Sequence, residues 1–95
     1  MIKASEAKAI TQSYQTEMEI FGIDIAHEKL STIESVIRMH ANDGESMCDV
    51  FILRLFDSKD AIARETYIRE IKRILSINGF DTTFNTESKV LRIQW

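Results

Sequence analysis

The chain contains no proline, only three glycines and a single cysteine among its 95 residues. This composition excludes a low-complexity linker or a disordered segment, which are rich in proline and glycine. Cys48 has no second cysteine with which to form a disulfide, and this favours a reducing compartment. No apolar run approaches the ~20 residues of a membrane span, and residues 1–20 lack the basic-then-apolar order of a signal peptide. We therefore expect a cytoplasmic location.

The sequence also lacks the motifs that identify a reaction centre. It has no glycine-rich phosphate loop, no nucleophile elbow and no paired-histidine zinc motif. His27 and His40 are about 20 Å apart along one predicted helix, which is too far to share a metal ion. His40, Asp43 and Cys48 form a weak alternative ligand set, and a surface histidine near a helix C-terminus is the simpler interpretation. We predict a protein that is not an enzyme and uses no cofactor.

Charge is unevenly distributed along the chain. Residues 1–57 carry five basic and ten acidic side chains, a net charge of −5. Residues 58–95 carry seven basic and five acidic side chains, a net charge of +2, which gives −3 for the whole chain. An overall negative charge argues against strong non-specific binding to nucleic acid. The two halves are expected to pair within the fold or between subunits.

Apolar residues at steps of three and four predict two helices in the first half of the chain. The first begins with Ser5 as its N-cap. Its apolar stripe consists of Ala7, Ile10, Tyr14 and Met18. Gly22 predicts a break, because glycine is a poor residue in a helix interior. A second helix, capped by Asp24, then runs to the turn at residues 42–44, where Gly44 suits a left-handed C-cap.

The second half of the chain predicts three strands and one more helix. Residues 47–56 are rich in β-branched and aromatic side chains and favour a strand. A third helix follows, capped by Asp57 or Ser58 and ended by Gly79, and Phe80 is expected to pack back on the last turn. Residues 80–86 and 90–95 alternate between apolar and polar, which predicts a hairpin joined by a short turn.

These elements combine into a predicted α+β fold in the order α-α-β-α-β-β. A right-handed crossover through the third helix makes strands one and two parallel. If strand three lies between them, it is the central strand, but the sequence does not determine the strand order. The prediction is a single α+β domain over residues 1–95, with three helices packed on a small three-stranded mixed sheet. Because the last strand ends on Trp95, an aromatic that an unpaired tail would leave in water, we expect a complete domain.

The first predicted strand carries apolar residues on both faces, although one layer of helices covers only one face of a sheet. The uncovered face predicts self-association or binding of another protein. The alternative is that residues 20–25 fold over that face. The candidate protein interface consists of Val50, Phe51, Ile52, Leu53 and Trp95.

A second candidate surface is basic. Its members lie on the third helix and the last strand. Arg69 and Arg73 are four residues apart, so one helix face could present two guanidinium groups. The simpler interpretation is a solvated helix of mixed charge, neutralised by Glu65 and Glu70, because the interleaved aromatic residues of a stacking platform are absent. The candidate nucleic-acid contacts are Arg64, Arg69, Lys72, Arg73 and Arg92.

Three segments resemble a group of short tailed-phage proteins of unknown function. They are a helix start at residues 3–7, a helix that ends at Asn42-Asp43-Gly44, and a C-terminal pattern of Gly79-Phe80 followed by Ile93-Gln94-Trp95. The helix start in the group has the form Ser/Thr-x-x-Glu-Ala, and this sequence departs from it at the first position, which is Lys3. The resemblance implies a viral origin, a small α+β fold and a place in the host-cell cytoplasm or the virion. It supplies no catalytic residues.

The sequence and this resemblance together predict a non-enzymatic phage-type protein that acts through protein–protein contacts. It would serve as a minor virion component or as an assembly or accessory factor. The alternative is a small nucleic-acid-binding regulator that uses the basic face of the third helix. A protein partner or self-association is expected, with no membrane and no small-molecule substrate.

Overall fold

A computed structural model describes all 95 residues and contains three helices and three strands. The helices are α1 (Ala4–Asn42), α2 (Ile52–Leu55) and α3 (Ala61–Ile77), and the strands are β1 (Met47–Val50), β2 (Asp81–Asn85) and β3 (Val90–Gln94). The predicted α+β class, with three helices and a three-stranded sheet, is confirmed. The predicted order α-α-β-α-β-β is also consistent with the structure. In this comparison α1 corresponds to the first two predicted helices, and α2 and α3 together correspond to the third.

Helix α1 is continuous over 39 residues, so the predicted break at Gly22 is wrong. Gly22 is buried against α3, and a Cβ atom added there would lie 2.6 Å from the carbonyl oxygen of Ala63. The absence of a side chain lets the two helix backbones approach closely, which explains a glycine inside a long helix despite its low helix propensity. The helix begins at Ala4 with Lys3 at the N-cap, rather than with Ser5.

Strand β1 ends at Val50, so the predicted strand over residues 47–56 is correct only in its first half. The chain turns at Phe51 and forms the short helix α2. The hydroxyl of Tyr67 in α3 donates a hydrogen bond of 2.7 Å to the carbonyl oxygen of Ile52. This bond ties the turn to α3 and leaves the Ile52 side chain fully buried.

The sheet has the order β1-β3-β2, so β3 is the central strand, an arrangement that the sequence allows but does not determine. Both of its neighbours pair with it in antiparallel register, and Ile93 lies between Cys48 and Thr82. The strands β1 and β2 therefore run parallel to each other without being neighbours. Both hydrogen-bonded strand pairs are antiparallel, so the prediction of a mixed sheet is wrong.

Helix α3 ends as the sequence predicts, although it begins elsewhere. Its N-cap is Asp60, whose carboxylate accepts a hydrogen bond of 3.0 Å from the Ala63 N–H, and not Asp57 or Ser58. At its other end Gly79 has a positive φ of 89°. The Phe80 N–H donates to the Leu75 carbonyl oxygen at 3.0 Å, which is the hydrogen bond of a Schellman C-cap.

The core lies between the inner face of the sheet, α3 and the C-terminal half of α1. Its largest fully buried side chains are Tyr67, Ile33, Ile52, Ile71, Leu91 and Ile93. The N-terminal half of α1 extends beyond this core, and the molecule measures 64 × 25 × 18 Å as a result. No helix combines the length and the apolar character that crossing a membrane requires.

Candidate functional site

The predicted protein interface does not form one surface. Val50 and Ile52 are buried in the core, so the expectation that they lie on an uncovered sheet face is wrong for both. Phe51 is exposed and Leu53 is half-buried, and both follow the end of β1. Trp95 lies beside the start of β1, where its backbone N–H donates to the Ser46 carbonyl oxygen at 3.0 Å. The residue is 40% exposed. The exposed members therefore lie at opposite ends of β1.

The outer face of the sheet is polar, which removes the reason for predicting a surplus apolar face. Asp49 of β1 and Arg92 of β3 form a two-pronged ion pair there, with Nε–Oδ1 and NH2–Oδ2 distances of 2.9 and 3.2 Å. The hydrogen bond from Arg92 holds the pKa of Asp49 below its ordinary value. Thr83 of β2 is paired in register with Arg92 and is also exposed.

The predicted nucleic-acid contacts are dispersed in the same way. Arg92 is engaged with Asp49 on the sheet, and Arg73 is paired with Glu70 on α3. The remaining three are Arg64, Arg69 and Lys72, all on α3. Two of the four guanidinium groups are therefore neutralised within the protein, and the sheet member lies on a different element from the other four residues. The five residues do not make one basic face.

Glu70 links α3 to α1. Its side chain is mostly buried and accepts hydrogen bonds from Arg73 on its own helix and from His27 on α1, where the Nε2–Oε2 distance is 3.2 Å. The hydrogen bond from Arg73 is the main reason why the pKa of Glu70 is lowered, with His27 adding to the effect. The hydrogen bond from His27 joins α1 to α3, and the Arg73 pair neutralises the Glu70 carboxylate within α3.

The most unusual surface belongs to residues 4–17 of α1, which we call the arm. Every residue of the arm is exposed, including Ile10 at 64% and Tyr14 at 48%. A helix of about 12–15 residues is only marginally stable alone in water, because its stability in proteins comes from packing of an apolar face. The arm is therefore a helical segment whose apolar side is not buried by the rest of the chain.

The apolar side of the arm is the stripe that the sequence predicts. At 100° per residue, its members fall on one face of α1, and the same face continues into Phe21 and Ile25 where the helix meets the core. The predicted stripe members are Ala7, Ile10, Tyr14 and Met18. The sequence identifies this pattern correctly, but the same pattern suits a core helix and a docking helix. Only the structure shows that Ala7, Ile10 and Tyr14 are exposed and that Met18, just beyond the arm, is half-buried.

One edge of this stripe is acidic. The helical spacing places Glu6, Glu17 and Asp24 along the same side of the apolar face, and all three are exposed. None of them forms an ion pair with a basic residue. The arm consequently presents apolar groups together with unneutralised carboxylates.

The arm is joined to the core at one polar point. The hydroxyl of Tyr14 donates a hydrogen bond to the carboxylate of Asp60, the N-cap of α3. This bond raises the pKa of Tyr14 and lowers the pKa of Asp60, and the Ala63 N–H contributes to the lowering. Immediately after this point, Phe21 packs edge-on against Phe56, with ring centroids 5.6 Å apart.

The residues considered as metal ligands are separated. His40 pairs with Glu45 across the turn after α1, and Cys48 is buried in β1. Burial raises the pKa of the Cys48 thiol, so this cysteine is poorly suited to act as a nucleophile. No group of three or more histidine, cysteine or acidic side chains is arranged to hold a metal ion.

No protein-family model, no curated protein and no solved structure matches this chain. Function is therefore inferred from its surfaces. Among these, the arm is the largest feature that packing within the chain leaves unexplained, and it was not among the residues that the sequence marked as an interface.

Proposed function

We propose that the protein is a non-enzymatic contact protein whose arm binds a protein partner. The observation that carries this proposal is the exposure of the whole arm together with its continuous apolar stripe. Burying an apolar stripe stabilises both the complex and the helix that carries it, because the helix has no other partner. The mode is the packing of an amphipathic helix against an apolar surface of another protein.

The partner that fits the arm is an amphipathic segment with lysine or arginine beside its apolar residues. The edge formed by Glu6, Glu17 and Asp24 supplies the complementary charge, since opposite charges beside a helix interface set the choice of partner. A second copy of the arm is less suitable. An antiparallel pair brings the same edge of each helix together and so sets carboxylates against carboxylates.

The resemblance to short tailed-phage proteins supplies the biological setting of the proposal. A contact protein of this size would act as a minor virion component or as an assembly or accessory factor, in the host-cell cytoplasm or in the virion. This setting rests on the resemblance alone. The arm and its charge do not depend on it.

Site-specific photo-crosslinking tests the proposal. A photoreactive amino acid replaces Ile10 in the stripe or, as a matched control, Thr83 on the outer face of the sheet; both positions are exposed. We expect an adduct from position 10 that position 83 does not give, and mass spectrometry should place it in a segment with apolar and basic residues. The adduct should disappear from a variant that also carries Glu17→Lys and Asp24→Lys.

Two results would contradict the proposal. One is the absence of any adduct specific to position 10 in an extract of the cells that make the protein. The other is an adduct that forms equally well when the acidic edge is reversed, because the partner would then not recognise that edge. A crosslink between two copies of the arm would show that the arm makes a protein contact. The partner would then be a second copy of the chain rather than the proposed basic segment.

A further inference from the structure

A cleft of about 410 Å³ lies where α2, the start of α3 and the turn between β2 and β3 meet. It is separate from the arm. The polar and aromatic side chains that line it are Phe51, Arg54, Asp57, Arg64, Ser88 and Lys89. They come from three segments that are distant in sequence, so the cleft is produced by the fold rather than by one basic stretch of chain.

The charge of this cleft is positive and only partly compensated. Arg54, Arg64 and Lys89 supply three positive charges, and none of them forms an ion pair. Asp57 is the one acidic residue of the lining, which leaves a net charge of +2. Three cations gathered around one cleft repel each other, and a bound anion removes that repulsion.

Two of the cations are held in place by neighbouring groups. The guanidinium of Arg54 lies over the ring of Phe51, with its Cζ atom 4.3 Å from the ring centroid. The NH1 group of Arg64 donates a hydrogen bond of 3.2 Å to the carbonyl oxygen of Ser58. Each contact leaves further N–H groups of the guanidinium free to donate. Arginine side chains that are already ordered lose less conformational entropy when they bind an anion.

The third cation occupies a position where glycine is normally preferred. Lys89 has a φ of 61° and is the one residue other than glycine with a positive φ in the chain. Its N–H donates to the Asn85 carbonyl oxygen at 2.9 Å, so this conformation closes the turn between β2 and β3. Glycine would adopt it without strain. A lysine kept in a strained conformation indicates that its side chain has a use, and here that side chain lines the cleft.

We propose that this cleft binds the phosphate group of a small phosphorylated molecule. A phosphate dianion matches the net charge of the lining, and its oxygens suit the fork of N–H donors that arginine presents. Ser88 adds a hydroxyl to the lining. The volume lies in the range of small-ligand sites, which is roughly 300–1,000 Å³. Nucleic acid fits less well, because Arg73 of α3 and Arg92 of the sheet are already paired with Glu70 and Asp49 and so offer no free charge to a phosphate backbone.

The proposal is tested by titrating isotope-labelled protein with inorganic phosphate and with pyrophosphate while NMR signals are recorded. We expect saturable shifts of the side-chain Nε–H signals of Arg54 and Arg64. The key variant is Lys89→Gly, which removes one cation and relieves the strained φ. It should unfold at a higher urea concentration than the wild-type protein and yet bind about tenfold more weakly.

Arg69→Gln is the matched control, since Arg69 is an exposed cation of α3 that forms no ion pair and does not line the cleft. It should leave the affinity within about twofold of the wild type, as expected for a charge outside the site. Equal losses from Arg69→Gln and Lys89→Gly would overturn the proposal, because the effect would then be one of overall charge. The absence of saturation would overturn it as well.

A 12-nucleotide single-stranded DNA serves as the competing ligand. If it shifts the same arginine signals at much lower concentrations than pyrophosphate does, the small-molecule proposal is wrong and the cleft is part of a nucleic-acid surface. If DNA binds no more tightly than inorganic phosphate, the cleft recognises the phosphate group itself, as proposed.

Discussion

The hydroxyl of Tyr14 and the carboxylate of Asp60 form a hydrogen bond between residues that are 46 positions apart in sequence. Tyr14 belongs to the exposed arm, and Asp60 is the N-cap of α3. This bond is the last polar contact between α1 and the core before the arm extends into solvent. It therefore ties the last turn of the arm to the core and helps to set the direction in which the rest of the arm leaves the molecule.

Replacement of Tyr14 by phenylalanine should raise the pKa of Asp60. The Tyr14 hydrogen bond is the largest cause of the lowered pKa, and the Ala63 N–H is the next, so the value should move part of the way towards the ordinary 3.8. NMR titration of the Asp60 carboxyl carbon in both proteins measures the change. Asp49, whose pKa depends on Arg92, is an internal control and should titrate identically.

The same pair predicts how stability depends on pH. Because the pKa of Asp60 is lower in the folded protein, its carboxylate stabilises the fold above about pH 3.8, and this contribution disappears as the pH falls through the folded pKa. Tyr14→Phe should reduce that acid-dependent loss of the free energy of unfolding. An identical pH dependence for both proteins between pH 2 and pH 5 would show that the bond does not form in solution.

Gly22→Ala should lower the free energy of unfolding. The added Cβ would lie 2.6 Å from the Ala63 carbonyl oxygen, so α1 and α3 must separate, and overpacking of this kind costs about 1–3 kcal/mol. Because the clash is with a backbone atom that cannot rotate away, we expect the upper part of this range, which exceeds the helix-propensity gain of about 1 kcal/mol that alanine brings. Urea denaturation measures the change, with Ser13→Ala in the exposed arm as the control.

Ser13→Ala removes an exposed side chain from the same helix without changing a contact with α3, so it should be neutral or slightly stabilising. If Gly22→Ala proved as stable as this control, α1 and α3 would not pack as closely as described. The comparison separates packing from helix propensity, because both variants introduce alanine into α1.

The sequence predicts the C-terminal ends of the helices better than their interior or their starts. Gly44 and Gly79 both follow a helix and both have a positive φ, as a left-handed C-cap requires. That requirement is local, and it is visible in the sequence. Gly22 is different, because its role depends on Ala63, which lies 41 residues away in α3. A helix-breaking interpretation of Gly22 is the natural local inference, and a long-range contact makes it wrong.

The same distinction between local requirements and long-range contacts explains why the sequence does not identify the candidate sites. In the sequence, the apolar residues of 47–56 have the pattern of one continuous strand. In the structure the chain turns at Phe51, and the hydrogen bond from Tyr67 to Ile52 holds this turn in place. Val50 and Ile52 then both point into the core, one from β1 and one from α2. The cleft around Arg54 and Lys89 is invisible in the sequence for the same reason, since its cations are brought together only by the tertiary fold.

Tyr67→Phe should destabilise the fold by about 1–3 kcal/mol, because the buried carbonyl oxygen of Ile52 would lose the hydrogen bond that it accepts from the Tyr67 hydroxyl. Burial also raises the pKa of Tyr67 to about 12. Its contribution to stability is therefore complete below the ordinary pKa of 10.0 and is lost as the pH rises through 12. Urea denaturation at pH 7 and ultraviolet titration of the tyrosines measure the two effects. A tyrosine titration complete by pH 10.5 would contradict the buried position.

The final prediction contrasts two isoleucines of α1. Ile33 is fully buried and Ile10 is 64% exposed, although both belong to apolar stripes of the same helix. Ile33→Ala should lower the free energy of unfolding by about 2–5 kcal/mol, through lost burial and a new cavity. Ile10→Ala should change it by less than about 0.5 kcal/mol, because no core contact is lost.

Urea denaturation of the isolated protein measures both variants, followed by the photo-crosslinking assay with the reactive group at Tyr14. If the arm is a docking helix, Ile10→Ala leaves the free energy of unfolding unchanged but lowers the yield of the crosslinked adduct formed from position 14. A large loss of stability from Ile10→Ala would have a different meaning. The stripe of the arm would then be packed in the isolated protein, either on its own core or on a second copy, and a dependence of the unfolding midpoint on protein concentration would identify the second copy.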